Sequence, residues 1–257
     1  MSAITDLRID LGEKFPHLRN APIVEATIEV RTRAESAWKE ADITQQVKSR
    51  LPEYPKVQSQ SRMIQEFTLG EIPSARTQSL GWQGLRAESG DGRQVVQFNR
   101  DSFVFGRLRP YEGWERLFAE AVRLWNFYVE LAQPAELQRI GLRFINQVKL
   151  PLQETRYEDY IQPAPAPPKG LELPFHGFLH HDILAAPGHP YGINVIRTIQ
   201  TPPNADSYAV ILDIDAFTLQ PFQYRETIMQ ERLPEMRWLN NKVFFGSITA
   251  KAVQTFK

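Results

Sequence analysis

Three stretches of this 257-residue chain carry side chains whose types and spacing can do chemistry. In "LDID", Asp213 and Asp215 stand at i and i+2. On a strand both carboxylates then fall on one face, where such a pair can hold a divalent cation for phosphoryl transfer. In "HGFLHHD", His180 and Asp182 share that spacing and His176 precedes them. Two imidazoles and a carboxylate suit zinc or iron. In "RIGLRFINQVKLP", Arg139 and Arg143 fall on one strand face with Lys149, and a guanidinium grips phosphate or carboxylate with two parallel hydrogen bonds.

Each stretch also has a plainer reading. The aspartate spacing is common, and no phosphate-cradling GxxxxGK[ST] or GxGxxG loop accompanies it, so solvated strand carboxylates are the simpler account. The histidines lack an HExxH spacing, and a third ligand must come from His176 or another strand. His181 is expected on the apolar face as a hydrogen-bonded core residue, and His189 of "PGHP" in a turn. Arg139 and Arg143 lie opposite Glu25 and Glu29 if the first strands of the two halves pair. Each such pair contributes about 0.2–1 kcal/mol. With no cysteine, disulfides, thiolate metal sites and cysteine nucleophiles are excluded, and no GxSxG elbow marks a serine nucleophile. The sequence assigns no catalytic residue, metal or cofactor. The ligand-contacting candidates are Arg139, Arg143, His176, His180, Asp213 and Asp215.

The elements that must position these residues follow from hydrophobic period. "APIVEATIEVRT" alternates and reads as a strand with Val24, Ala26, Ile28 and Val30 inward. "AESAWKEADITQQVKSRL" reads as a helix stopped by Pro52. Strands follow around "MIQEFTLG", "SLGWQGLRAES", "RQVVQFN" and "SFVFGRLR", with turns at "GDG" and "NRDS". "YEGWERLFAEAVRLWNFYVELA" carries an aromatic stripe at helical spacing, read as core rather than cofactor box. The order then restarts. "RIGLRFINQVKL" is a strand whose inward set Ile140, Leu142, Phe144 and Val148 is interrupted by Asn146. "ETRYEDYI" makes a short helix and "PAPAPP" a stiff connector. Three strands follow, in "LPFHGFLHHDILAA", "YGINVIRTIQ" and "SYAVILDIDAF", then a closing helix bent or restarted at Pro234. In "FHGFLHHDIL" the inward set is Phe175, Leu179 and Ile183, which sends His176, His180 and Asp182 to the polar face. In "LNNKVFFGSIT", Asn240 and Asn241 are expected to end the helix, with Phe244, Phe245 and Ile248 docking on the core.

The expected fold is α+β: a tandem duplication of a strand–helix–strands–helix unit, with antiparallel sheets and helices on one face. The halves are 1–134 and 135–257, fused into one unit. Lys+Arg and Asp+Glu are 30 each. That balance disfavours nucleic acid as the main partner, though a sheet saddle for it stays open. No signal-like or membrane-spanning apolar run is present, so a soluble, cytoplasmic protein is expected.

The early "FPHLRNAPIVEATIEV", the central "RIGLRFINQVKLP" and the late "FFGSIT" together resemble a sporadically distributed bacterial protein family. That family has no established activity. The resemblance spans nearly the whole chain and implies a bacterial, cytoplasmic protein, and it transfers no catalytic residue. The functional expectation is a non-enzymatic binding or interaction protein, an accessory or sensor of a defence or toxin–antitoxin-like system. Its binding surface would be the polar sheet face carrying Arg139 and Arg143, or the groove between the halves, and its partner another protein or a second copy, or a small phosphate-bearing ligand. The alternative is a metal-dependent phosphoryl-transfer or nucleotide-processing enzyme using Asp213 and Asp215.

Overall fold

Strand β1 (Ile23–Ala34) alternates as its sequence requires. Ala26, Ile28 and Val30 are buried, while Arg31 is exposed. The computed structural model describes residues 6–34, 38–68, 74–151, 156–166, 170, 177–200 and 207–257. Helix α1 (Glu40–Arg50) follows β1 and buries Ile43 and Val47. Four antiparallel strands come next: β2 (Lys56–Thr68), β3 (Ser74–Glu88), β4 (Gln94–Asn99) and β5 (Ser102–Leu108). Helix α2 (Trp114–Ala132) carries the aromatic stripe, and Trp125, Tyr128 and Leu124 are core residues.

Strand β6 (Pro134–Pro151) opens the second half, and β7 (Leu179–Ala185), β8 (Tyr191–Gln200) and β9 (Ser207–Thr218) return in antiparallel steps. "ETRYEDYI" yields only a 3₁₀ turn at Tyr157–Asp159 among the described residues. The two-residue strand β10 (Phe222–Gln223) pairs with β6. Helix α3 (Ile228–Ser247) and the short α4 (Ala250–Gln254) end the chain. Among the described residues no helix is long and apolar enough to cross a membrane.

The ten strands among the described residues form one antiparallel sheet, nine of them in the order β2-β3-β4-β5-β1-β6-β9-β8-β7 and β10 paired to β6 off that path. The first strands of the two halves do pair: β1 runs antiparallel to β6 along most of its length. β5, the last strand before α2, returns beside β1, and β9, the last long strand before α3, returns beside β6. Helix α1 packs on β2 and β3, α2 on β5, and α3 on β6 and β9. Their buried side chains join those of the sheet in one hydrophobic cluster. Among the described residues the other sheet face has no helix on it, the arrangement expected of an antiparallel sheet that alternates apolar and polar.

Two expectations are corrected. Asn240 and Asn241 do not end the closing helix. It runs on to Ser247, with Pro234 inside it. Asn240 is tolerated there because its Nδ2 donates to the Met236 carbonyl one turn back, at 3.0 Å, and to Leu142 of β6 at 3.1 Å. The β7 face assignment is inverted. Register with β8 places Leu179, His181 and Ile183 on the open face and His180 and Asp182 on the helix side. β7 is an edge strand exposed on both faces, with Leu179 and Ile183 each 71% exposed, so burial does not fix its register through an apolar face.

Candidate functional site

On the open sheet face, β6 lies between the carboxylates of β1 and those of β9. Arg143 stands directly opposite Asp215 and Thr27, and its side chain reaches diagonally to Asp213. Its Nε donates to Asp213 Oδ1 at 2.7 Å, and Nη2 donates to the second oxygen. Arg139 donates to Glu29 and, at 2.6 Å, to Asp215 Oδ2. Its guanidinium lies 5.0 Å from the Phe217 ring centroid. Gly141 makes this possible. It sits between Glu29 and Phe217 in register, and a Cβ there would meet the Arg139 guanidinium at 2.3 Å. Arg31 extends the chain of charge by donating to Glu29 at 3.0 Å.

The electrostatics match that geometry. The hydrogen bonds to Asp213, with the nearby charge of Glu25 and Asp215, push Arg143 further above its ordinary value. Burial pushes the Asp215 carboxyl above the ordinary carboxylate value even with Arg139 and Arg143 beside it. The structure therefore brings Arg139, Arg143, Asp213 and Asp215 together as an internally paired cluster. His180 is apart from it, on the other face of β7, with its ring 5.2 Å from Phe178. Asp182 is held by Arg197 at 3.0 Å, which itself faces the helix side. His176 lies outside the described residues. His181 is exposed rather than core, and His189 sits in its turn with Nε2 2.7 Å from the Leu7 carbonyl.

The opposite side of the sheet holds a cavity of about 910 Å³. Its floor includes Phe144, Asn146 and Ile214 of the sheet, and α3 supplies one wall with Arg237, Asn240 and Phe244. The N-terminus of α2 and the segment 11–23 close the remaining sides. That segment is tied down along its length. The Trp238 indole N–H donates to Glu13 at 2.8 Å, Lys242 pairs with the same carboxylate at 2.8 Å, and Phe15 stacks on Phe245 at 5.6 Å.

Several residues that border the cavity carry polar groups left unpaired among the described residues. Asn240 is 2% exposed and spends its Nδ2 on two backbone carbonyls, which fixes the amide orientation and leaves Oδ1 buried without a partner. Asn146, also 2% exposed, donates from Nδ2 to the Leu212 carbonyl at 3.0 Å, and its Oδ1 takes no donor among the described residues. Tyr111 stands edge-on to Phe144. Burial pushes its hydroxyl up, and the nearby Arg237 charge works against that rise. At the α2 start, Gly113 holds a φ of 113° and provides no side-chain cap. The N–H groups of Trp114, Glu115 and Arg116 therefore point out of the helix end without a protein acceptor among the described residues.

The sequence reading offers a groove between the halves as an alternative surface but names none of this cavity's residues as candidates. Its one trace there is Asn146 breaking an apolar stripe, since Asn240 and Asn241 are expected to end the helix. A scan against protein-family models, a search of curated proteins and a search of solved structures each found no match.

Proposed function

We propose that this chain is a non-enzymatic binding protein whose site is the cavity between α3, the α2 N-terminus and the N-terminal segment. One observation carries the reading: a cavity of about 910 Å³ whose wall holds a buried amide oxygen, Asn240 Oδ1, with no protein partner. A volume of that order accommodates a small organic molecule. A buried acceptor left unpaired costs about 1–3 kcal/mol, a cost that a ligand donor removes. The open sheet face supports a ligand site less well, because Arg139 and Arg143 are already engaged by Asp215, Glu29 and Asp213. A phosphoryl-transfer metal at Asp213 and Asp215 would have to displace a guanidinium from each. The same pairing argues against a nucleic-acid saddle, since cations neutralised in place attract phosphate weakly.

We also read the repeated element order about the β1–β6 pair as a duplicated unit, in keeping with a scaffold that builds one site at the junction of its halves. The family resemblance and a role as a bacterial accessory or sensor are compatible with this reading.

Equilibrium dialysis of the full chain against a cell metabolite extract tests the proposal. The protein is expected to retain a small molecule that the cavity-filling variant Asn241→Trp does not. Asn241 lines the cavity and makes no hydrogen bond among the described residues, so the variant is expected to fold. Retention of nothing, or equal retention by the variant, overturns it.

A further inference from the structure

Resting on that reading, we propose that the cavity takes a planar organic anion, with its anionic group at the α2 N-terminus and its N–H or O–H donors against Asn146 and Asn240. The polarity of the cavity is divided. At the floor, Asn240 Oδ1 is buried without a partner, and Asn146 Oδ1 takes no donor among the described residues; both are amide oxygens and can only accept. They call for ligand donors. At the rim the unpartnered groups are donors and cations. The three N–H groups at the α2 start have no acceptor among the described residues, and a helix N-terminus favours negative charge.

The charged side chains of the rim reinforce this. Glu13 is taken by Lys242 and Trp238, and Glu112 by Arg107 and Arg116. Glu115 is mostly exposed and reaches only to 3.9 Å of Arg237. Lys14 and Arg19 line the cavity with no ion pair or hydrogen bond among the described residues. Pairing thus leaves an excess of positive charge at the mouth. Between the two poles the walls are aromatic, with Tyr111 edge-on to Phe144 and Trp114 under the Arg237 guanidinium at 5.0 Å. Such walls stack a flat body.

Phosphate and carboxylate both satisfy the anionic pole, so the test uses both. Tryptophan emission and calorimetry of the full chain follow titration with adenosine 5′-monophosphate, adenosine, 4-aminobenzoate, benzoate and inorganic phosphate. At least one amino-bearing anion is expected to bind about tenfold more tightly than its neutral or amino-free counterpart, the size of effect one charge-assisted hydrogen bond gives. Inorganic phosphate alone should bind more weakly. Arg237→Gln should weaken the anion about fivefold more than it weakens adenosine. Whichever of the two anions binds identifies the phosphate or carboxylate source. Equal binding of neutral and anionic partners overturns the inference, as does binding of phosphate as tight as that of the whole ligand. If no panel anion binds while metabolite dialysis retains a neutral molecule, the inference falls and the cavity reading stands. If dialysis retains nothing, both fall.

Discussion

The Trp238 indole N–H donates to Glu13 Oε2 at 2.8 Å, across more than two hundred residues of chain, and Lys242 takes the other oxygen of the same carboxylate. One side chain thus closes the N-terminal wall of the cavity onto α3. Glu13→Ala should lower stability by about 1–2 kcal/mol, a value typical of losing one charged hydrogen-bonding group. It should also speed limited proteolysis between residues 6 and 22, which have no regular structure of their own. Glu13→Gln can still accept from the indole and should fall between. Urea denaturation and a timed digest check both, and unchanged cleavage in Glu13→Ala would show that the wall is held elsewhere.

Gly141 and Arg139 form a second testable pair. Adding a Cβ at Gly141 displaces a flexible guanidinium rather than backbone, so the steric cost itself is small. The loss comes from pulling Arg139 off Glu29, Asp215 and Phe217. Gly141→Ala should cost about 1–2 kcal/mol in the native background and much less when Arg139 is already methionine. A double-mutant cycle measures this, and additive effects would mean that Gly141 serves the backbone instead.

Arg143→Met separates structure from binding on the open face. Asp213 is 8% exposed and would lose both hydrogen bonds from Arg143, so stability should drop by about 1–3 kcal/mol. Ligand retention, set by the cavity on the other side, should not change. Loss of ligand from a variant of native stability would return the site to the sheet face.

Glu120 gives the fold a defined acid sensitivity. Burial works to raise its carboxyl, but hydrogen bonds from Arg123 and from the buried Tyr54 hydroxyl, at 2.7 Å, outweigh it and hold the carboxyl below its ordinary value. A depressed folded-state value means that the stabilisation is present above the unfolded value of about 4.3 and is lost as pH falls through the folded value. Glu120→Gln should be less stable at neutral pH and show a shallower loss of stability below about pH 4. Parallel pH profiles of Tm for the two proteins decide it.

Much of the scaffold was legible in the chain. β1, β6 and β9 alternate because one face is buried, with Asn146 the interruption in β6, so Arg139, Asp213 and Asp215 could be placed on a common face before any register was known. The partner of Arg143 was not legible, because the side chain leaves its cross-strand neighbours Thr27 and Asp215 and reaches diagonally to Asp213. β7 was misassigned because a strand exposed on both faces gives alternation no meaning. The cavity was hidden for another reason. It is assembled from a segment without regular structure, a helix start and the middle of α3, and no local period joins them. Asn146 gave the only hint, as a polar residue where burial favours apolar ones.

The most direct measurement is a crystal structure of the full chain with the molecule that it retains from cell extract. Ligand density is expected on the helix side of the sheet, with donors on Asn240 Oδ1 and Asn146 Oδ1 and an anionic group at the N–H groups of Trp114 to Arg116. Density lying instead on the open face against Arg139 and Arg143, with solvent alone in the cavity, would contradict it.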